Sequence, residues 1–471
     1  MFQSDLFLIF RWWLVFLLIG ISFLPATWKI FNSFIDKGYI FSKVLGLLLI
    51  SYSIYILGTL HILKFSTFNI LVVWLVLTSI FWFFLRPKKI EIRNKLKIFL
   101  FEEFIFLSTL LIWSYVRSFN PDIHDLEKFM DFGFINSILR SEYFPPRDMW
   151  FSPFSINYYY FGHLYTAAAT KLSQIPSFIT FNLMIATIFA FTFSLSFSLG
   201  INLIEKIKRF SIRKTFILGL LFGYIVTLSG NLQTIYSLFK NYNAESPVPF
   251  WDLGLSISTF PNSYWYPNAT RFIYHTIHEF PSYSFVVADL HGHVLDIPIV
   301  IFLIAIGFVL FVEKKLRKEL IILASFLVSI AYMTNAWDGL IYLGLLSIII
   351  FFSDFMKGQD NNLSKKILDS IINSTKYILI IVISFFIFSL VFSQNFSPFA
   401  SGIGLNCPPE FLTKIESIGP FLFEKGQCQR SPIWQLGILY GFFIYMIAGF
   451  FIFIRKKKLI APDFFVIIIS L

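Results

Sequence analysis

Charge is scarce in this chain: Asp, Glu, Lys and Arg make up 14% of its 471 residues, while 57% are hydrophobic. That balance excludes a soluble globular protein, which could not hide so much apolar surface. Cysteine is almost absent, with Cys407 and Cys428 the only two, so a disulfide-dense scaffold is excluded. There is no Walker loop, dinucleotide fingerprint, GxSxG elbow or CxxC pair, so the usual signatures of nucleotide binding, serine hydrolysis and dithiol chemistry are missing. The net charge of +11 comes without a basic stripe carrying interleaved stacking residues, which excludes a nucleic-acid module.

What remains is a set of apolar runs of roughly 15–25 residues, the length of a bilayer-spanning helix. The expected fold is an all-α polytopic integral membrane protein. Its expected spans are 6–24, 41–60, 68–85, 98–116, 176–204, 215–236, 297–312, 320–333, 339–353, 377–393 and 433–454, about eleven in all. A twelfth apolar run, FFVIIISL, begins at Phe464 and stops at Leu471, and reads as a truncated span. The opening stretch is followed by further spans and LPATW is a poor cleavage site, so it reads as a first span. The organisation is then an N-terminal four-helix segment (1–116), a large loop (117–175) and a second membrane region (176–471). The phenylalanine excess, 63 residues, reflects compositional bias rather than a chemical need.

Basic clusters fall between alternate spans: the lysines of 26–43, RPKKIEIRNKLK (86–97), EKIKRFSIRK (205–214), EKKLRKE (313–319), the lysines of 354–376, and RKKK (455–458). By the positive-inside rule these face the cytoplasm of a plasma-membrane protein. The loops 117–175, 237–296, 334–338 and 394–432 then lie outside, together with most of the acids and all 7 histidines. Any chemistry is therefore expected on the extracytoplasmic face. Both cysteines fall in 394–432, where an oxidising compartment permits a Cys407–Cys428 disulfide. The spans show no mid-membrane charge ladder of the kind a pump or channel needs.

Four constellations stand out in the outer loops. In the first, Glu127 and Asp131 are one helical turn apart, with Lys128 between them. Residues 129–142 are patterned as a short interfacial helix that Pro145-Pro146 ends. In the second, INYYYFGH, a helix would put Tyr159 with His163, and Asn157 with Tyr160. An aromatic belt accounts for Tyr158, Tyr159 and Tyr160. It does not account for Asn157, Gly162 or His163, and Gly162 would admit a close backbone or ligand. In the third, VVADLHGHVLD, the spacing puts Asp289, His293 and Asp296 on one helical face with His291 elsewhere. Asp289 and His293 could hold a divalent cation or polarise each other for proton transfer. Arg271, His275, His278 and Glu279 lie just upstream and suit an anionic headgroup. The fourth is TNAWDG, where Asn335, Trp337 and Asp338 are more polar than a tight turn requires.

Taken in order, EKFMDFGFINSILRSEYFPPRDMWF, INYYYFGH, EFPSYSFVVADLHGH and TNAWD resemble the YYY-type membrane protein family, a domain of unknown function named for its tyrosine triplet. The resemblance runs over about 115–405. The chain departs from the family in having Phe129 after Glu127-Lys128, where proline is usual, and Gly292 between His291 and His293. The architecture in turn resembles the GT-C glycosyltransferases, which take sugars from polyprenyl-phosphate donors outside the membrane. That resemblance implies a transferase in which Asp131 or Glu127 is the general base. It also implies that Arg271, or a cation on Asp289 and His293, meets the departing phosphate. Lys128, Asn157, the tyrosines, Gly162, His163, Glu279, His291, Asn335, Trp337 and Asp338 would then line the substrate site, with membrane lipid as surroundings. The competing expectations are a lipid or polysaccharide transporter and a non-catalytic subunit of envelope assembly.

Overall fold

The computed structural model describes residues 2–207, 210–262, 264–273, 276–313, 316–358, 362–398, 402–419, 421–426 and 430–456. The helices, in chain order, are α1 (Phe2–Ile30), α2 (Tyr39–Thr59), α3 (Thr67–Leu85), α4 (Lys89–Ser118), α5 (Lys128–Arg140), α6 (Phe161–Ser173), α7 (Ser177–Ile207), α8 (Ile212–Leu228), α9 (Tyr266–Thr270), α10 (Pro281–Val287), α11 (Gly292–Val312), α12 (Lys318–Thr334), α13 (Ala336–Lys357), α14 (Leu363–Ser393), α15 (Glu410–Thr413) and α16 (Ile433–Lys456). A small sheet joins β1 (Ile403–Asn406), β2 (Ser417–Ile418) and β3 (Phe421–Glu424), with β3 central, parallel to β1 and antiparallel to β2. Two compact units emerge: Met1–Leu228 with Phe285–Phe396, and Ser229–Ser284 with Ser397–Leu471.

Among the described residues, 8 helices are long and apolar enough to cross a membrane, or 9 if α8 and the turn after it count as one broken span. This is fewer than the sequence pattern suggests. The expected span 98–116 is the second half of α4, whose 30 residues also hold a basic first half and the pair Glu102-Glu103. The expected span 320–333 is α12, which has only 17 residues. The helix expected over 215–236 stops at Leu228. The truncated run from Phe464 lies outside the described residues.

In the first unit α2, α7 and α11 are largely buried, whereas α3 and α14 turn most of their apolar side chains outward. Only lipid makes such exposed apolar faces stable, because a helix satisfies its own backbone groups and leaves hydrocarbon outside. The short α6 is enclosed by α1, α2, α3 and α12. Its run Ala167-Ala168-Ala169 is fully buried, and side chains this small let neighbouring helices approach closely.

The helices of this unit end in two places. At one end lie the C-termini of α2, α12 and α14, the N-termini of α7, α11 and α13, and α5. At the other end Arg317 pairs with Glu313 at 2.8 Å and donates to the carbonyls of Lys29 (2.9 Å) and Ile30 (2.7 Å). Nearby, charged side chains are buried between the helices. Lys43 is fully buried and lies 3.0 and 2.9 Å from the two oxygens of Glu103. That carboxylate also accepts from Tyr39 Oη and Trp13 Nε1, each at 2.6 Å. Asp36, equally buried, accepts from Ser198, from Asn202 Nδ2 (3.0 Å) and from the Gly38 N–H (3.2 Å). Glu102 adjoins Asp36. The sequence marks this place with two acids inside the apolar run FLFEEFIF.

The second unit has its own core of Tyr236, Phe272, Ile273, Ile438 and Leu439. There Arg271 pairs with Glu279 at 3.1 Å and donates to Thr270. His278 accepts from the Phe272 N–H at 3.0 Å, and His275 lies outside the described residues. Cys407, at the end of β1, is disulfide-bonded, and Cys428 lies outside the described residues.

Candidate functional site

Two turns deliver the acids of the first unit. Asp125 and Leu126 both adopt left-handed backbone, with φ of 66° and 51°. They bring the chain round so that Glu127 stands at the N-cap of α5 and Asp131 in its first turn. An acid there favours the helix, because the unpaired N–H groups leave that end positive. The Asp131 N–H donates to the Glu127 carbonyl at 3.0 Å, the first bond of the helix. The two side chains nevertheless meet opposite surroundings. Asp131 points inward with Phe134, Ile135 and Ile138 and is fully buried, while Glu127 is exposed.

The second turn differs from the expected continuous helix. α10 ends at Val287, Ala288 takes φ of 59°, and His291 caps α11. Asp289 therefore stands in a turn rather than on the helical face shared with His293 and Asp296 that the i, i+4, i+7 spacing suggests. Left-handed backbone at a non-glycine residue costs roughly 1–3 kcal/mol and persists only where the surroundings over-determine it. It occurs here immediately before both Glu127 and Asp289.

The triplet also departs from its expected helix. Asn157 to Tyr159 precede α6, and Tyr160 is its N-cap residue. The three tyrosines therefore do not share one environment. Tyr160 is buried in the core against Tyr55 and Phe392. Tyr158 and Tyr159 are half-buried and lie together, ring centroids 4.0 Å apart, with the Tyr158 hydroxyl donating to that of Tyr159 at 3.0 Å. Asn157 is exposed.

These pieces converge. His291 Nε2 lies 2.9 Å from Glu127 Oε2 and 2.6 Å from the Tyr158 hydroxyl, and its Nδ1 lies 2.8 Å from Nδ1 of His293. Behind them the buried ring of His163 meets Asp131, Nε2 to Oδ1, at 2.8 Å. Asp289 joins the two layers: its Oδ2 accepts from the Glu127 N–H at 3.4 Å and its carboxyl meets that of Asp131. Lys128 is buried at the start of α5.

Burial sets the proton affinities. It raises Asp131 from 3.8 to about 7, with Glu127 adding repulsion. It raises Asp289 from 3.8 to about 8, helped by the neighbouring Asp131. Two carboxyls in contact cannot both ionise cheaply, so the pair holds a proton near neutrality. Burial lowers His163 to about 3, so this imidazole is neutral. It also lowers Lys128 and raises Tyr158, the latter with help from Tyr159.

The glycines act through packing. A Cβ on Gly162 would lie 2.7 Å from Leu295 Cδ1, and one on Gly292 would lie 2.4 Å from the Thr334 carbonyl and 2.6 Å from the Tyr159 ring. Close approach is thus real at both positions, but the partners are α11, the end of α12 and a site tyrosine. Asn335 caps α13, and its amide donates to Asp338 Oδ2 at 2.8 Å, while Trp337 is exposed. Asp289 and His293 face different partners, and among the described residues no group of three or more His, Cys, Asp or Glu could hold a metal ion. A cleft of about 1060 Å³ opens on the other face of α5, lined by Gly133, Asn136, Ser137, Arg140 and Arg147 among others. It takes in none of the converging residues.

A many-helix membrane protein with an acid–imidazole–phenol cluster at one end of its larger unit is the class these features define. The chain belongs to the family described as uncharacterized membrane protein (DUF2298), the YYY domain, whose profile matches residues 49–471. No curated protein and no solved structure matches it.

Proposed function

We propose that the chain is a membrane glycosyltransferase, taking a sugar from a polyprenyl-phosphate donor at the extracytoplasmic face of the plasma membrane. The observation that carries this reading is the exposed Glu127 carboxylate held by His291, itself bonded to Tyr158, in front of a proton-holding carboxyl pair. Such a group can take a proton from an acceptor hydroxyl. The hydroxyl oxygen then attacks the anomeric carbon, the bond from that carbon to the phosphate oxygen breaks, and the phosphate leaves with the electron pair. One carboxylate suffices for such an inverting displacement.

Asp131 has no surface to offer an acceptor, so the base is Glu127. Asp131 and His163 act as positioning residues, fixing Asp289 and through it the Glu127 backbone. Tyr158 and Tyr159 offer a ring wall on which a sugar could stack. The test is transfer from a panel of polyprenyl-phosphate sugars by the chain in membranes. Glu127→Gln should abolish it. Asp131→Asn should retain some of it and shift its pH profile.

A transporter is the second reading, and one observation favours it. Buried ionisable groups occur at both ends of the first unit, with Lys43 on the apolar α2 facing Glu103, beside Glu102, on α4, and such buried groups commonly mark a path for ions or protons. Uptake or flipping of a lipid-linked sugar into vesicles, lost in Glu103→Gln and kept in Glu127→Gln, would select this reading over transfer.

A further inference from the structure

One turn below the His291–His293 turn, α11 carries an acid that the site does not use. Asp296 is fully buried, and neither of its carboxylate oxygens has a hydrogen-bond partner among the described residues. The Asp338 carboxyl, in the first turn of α13, lies beside it. Between these two helices α12 ends at Thr334, which is fully buried and whose hydroxyl also lacks a partner.

The Thr334 carbonyl packs against Gly292, four residues before Asp296 and so on the same face of α11. Asn335 completes the group through its bond to Asp338. The nearby phenol of Tyr165 is engaged elsewhere, donating to the Leu295 carbonyl at 2.6 Å. Tyr342 lies close to both carboxyls. Among the described residues no lysine, arginine or histidine pairs with either carboxylate.

A fully buried carboxylate, Asp296, beside the half-buried Asp338 is costly unless something positive lies between them. The donors these four residues offer are all oxygen: two from Asp296, the carboxylate of Asp338, the side-chain carbonyl of Asn335 and the hydroxyl of Thr334. Oxygen-only donors with two negative charges suit a hard divalent cation, whereas imidazole or thiolate would suit a softer one.

We propose that Asp296, Asp338, Asn335 and Thr334 form a binding site for a hard divalent cation, Mg²⁺ or Ca²⁺. The cation joins the N-termini of α11 and α13 to the end of α12. It thereby fixes the turn that presents His291 and the glycine against which Tyr159 packs. Asn335 and Asp338, expected from sequence to touch substrate, serve the cation instead. The proposal does not depend on the transferase reading, since neither carboxylate belongs to the acid–base group.

The test uses the full chain in detergent or nanodiscs, stripped with chelator, without any sugar donor. MgCl₂ and CaCl₂ are titrated at constant ionic strength, with KCl as control, and the melting temperature is read. One of the two salts should raise it by several degrees in the wild type, and neither should in Asp296→Asn or Asp338→Asn. Equilibrium dialysis with elemental analysis should find one tightly held divalent ion per wild-type chain, and this measurement stands even if the variants fold poorly. A wild-type chain that binds neither ion would overturn the proposal, as would a salt response that persists unchanged in Asp296→Asn. So would stability that follows pH alone, which would make the pair a proton site.

Discussion

At the residue scale, Asp131 and Asp289 decide how the site responds to pH. Both bind a proton more tightly in the fold than in the unfolded chain, where an aspartate titrates near 3.8. The stabilisation from these protonated carboxyls is full below about pH 4 and is lost as the pH rises through about 7 to 8. Asp131→Asn removes one partner and should flatten that part of the decline. Melting temperatures of both proteins between pH 4 and 9 check this, and equal declines would contradict it. Gly292 makes a second prediction. A methyl group there meets the Thr334 carbonyl and the Tyr159 ring, so Gly292→Ala should cost about 1–3 kcal/mol, measured by denaturation.

At the element scale, some of this was legible and some was not. The short helix expected over 129–142 is α5, because its apolar periodicity is helical and nothing local competes with it. It ends at Arg140, before Pro145-Pro146, with Ser141 already extended. The tyrosine triplet and the ADLHGH run could not be placed by spacing. A helical spacing argument presumes an unbroken helix, and left-handed backbone at Ala288 and a helix start at Phe161 break both. The meeting of Tyr158 with His291 across 133 residues of chain is tertiary, so no local pattern announces it. Residue types were informative where geometry was not. Glu127, Asp131, Tyr158, His163, Asp289, His291 and His293 do come together, whereas Tyr160 goes to the core and Arg271 pairs with Glu279.

The buried pair Lys43–Glu103 ties α2 to α4 and allows a prediction at this scale. Lys43→Met alone leaves an uncompensated carboxylate inside the unit and should cost about 3–5 kcal/mol, whereas Lys43→Met with Glu103→Gln should recover much of that. A double-mutant cycle read by thermal unfolding checks it. Additive losses would mean that the two charges do not act as a pair.

At the scale of the whole molecule, the fold class follows from composition, since only lipid can surround so much outward-facing apolar surface. The number of spans does not follow. α12, with 17 residues, and α4, which carries acids paired by its neighbours, fall at the edge of the length and composition that a span needs. What the first unit does is enclose a carboxyl pair and leave one acid, Glu127, facing outward on an imidazole and a phenol. The most direct test is sugar transfer from polyprenyl-phosphate donors in membranes, wild type against Glu127→Gln at matched folded protein. The account predicts transfer by the wild type, reduced about 10²–10⁴-fold in the variant, the usual contribution of a positioned general base. Transfer undiminished in Glu127→Gln, or none by well-folded wild type with any donor, would contradict it.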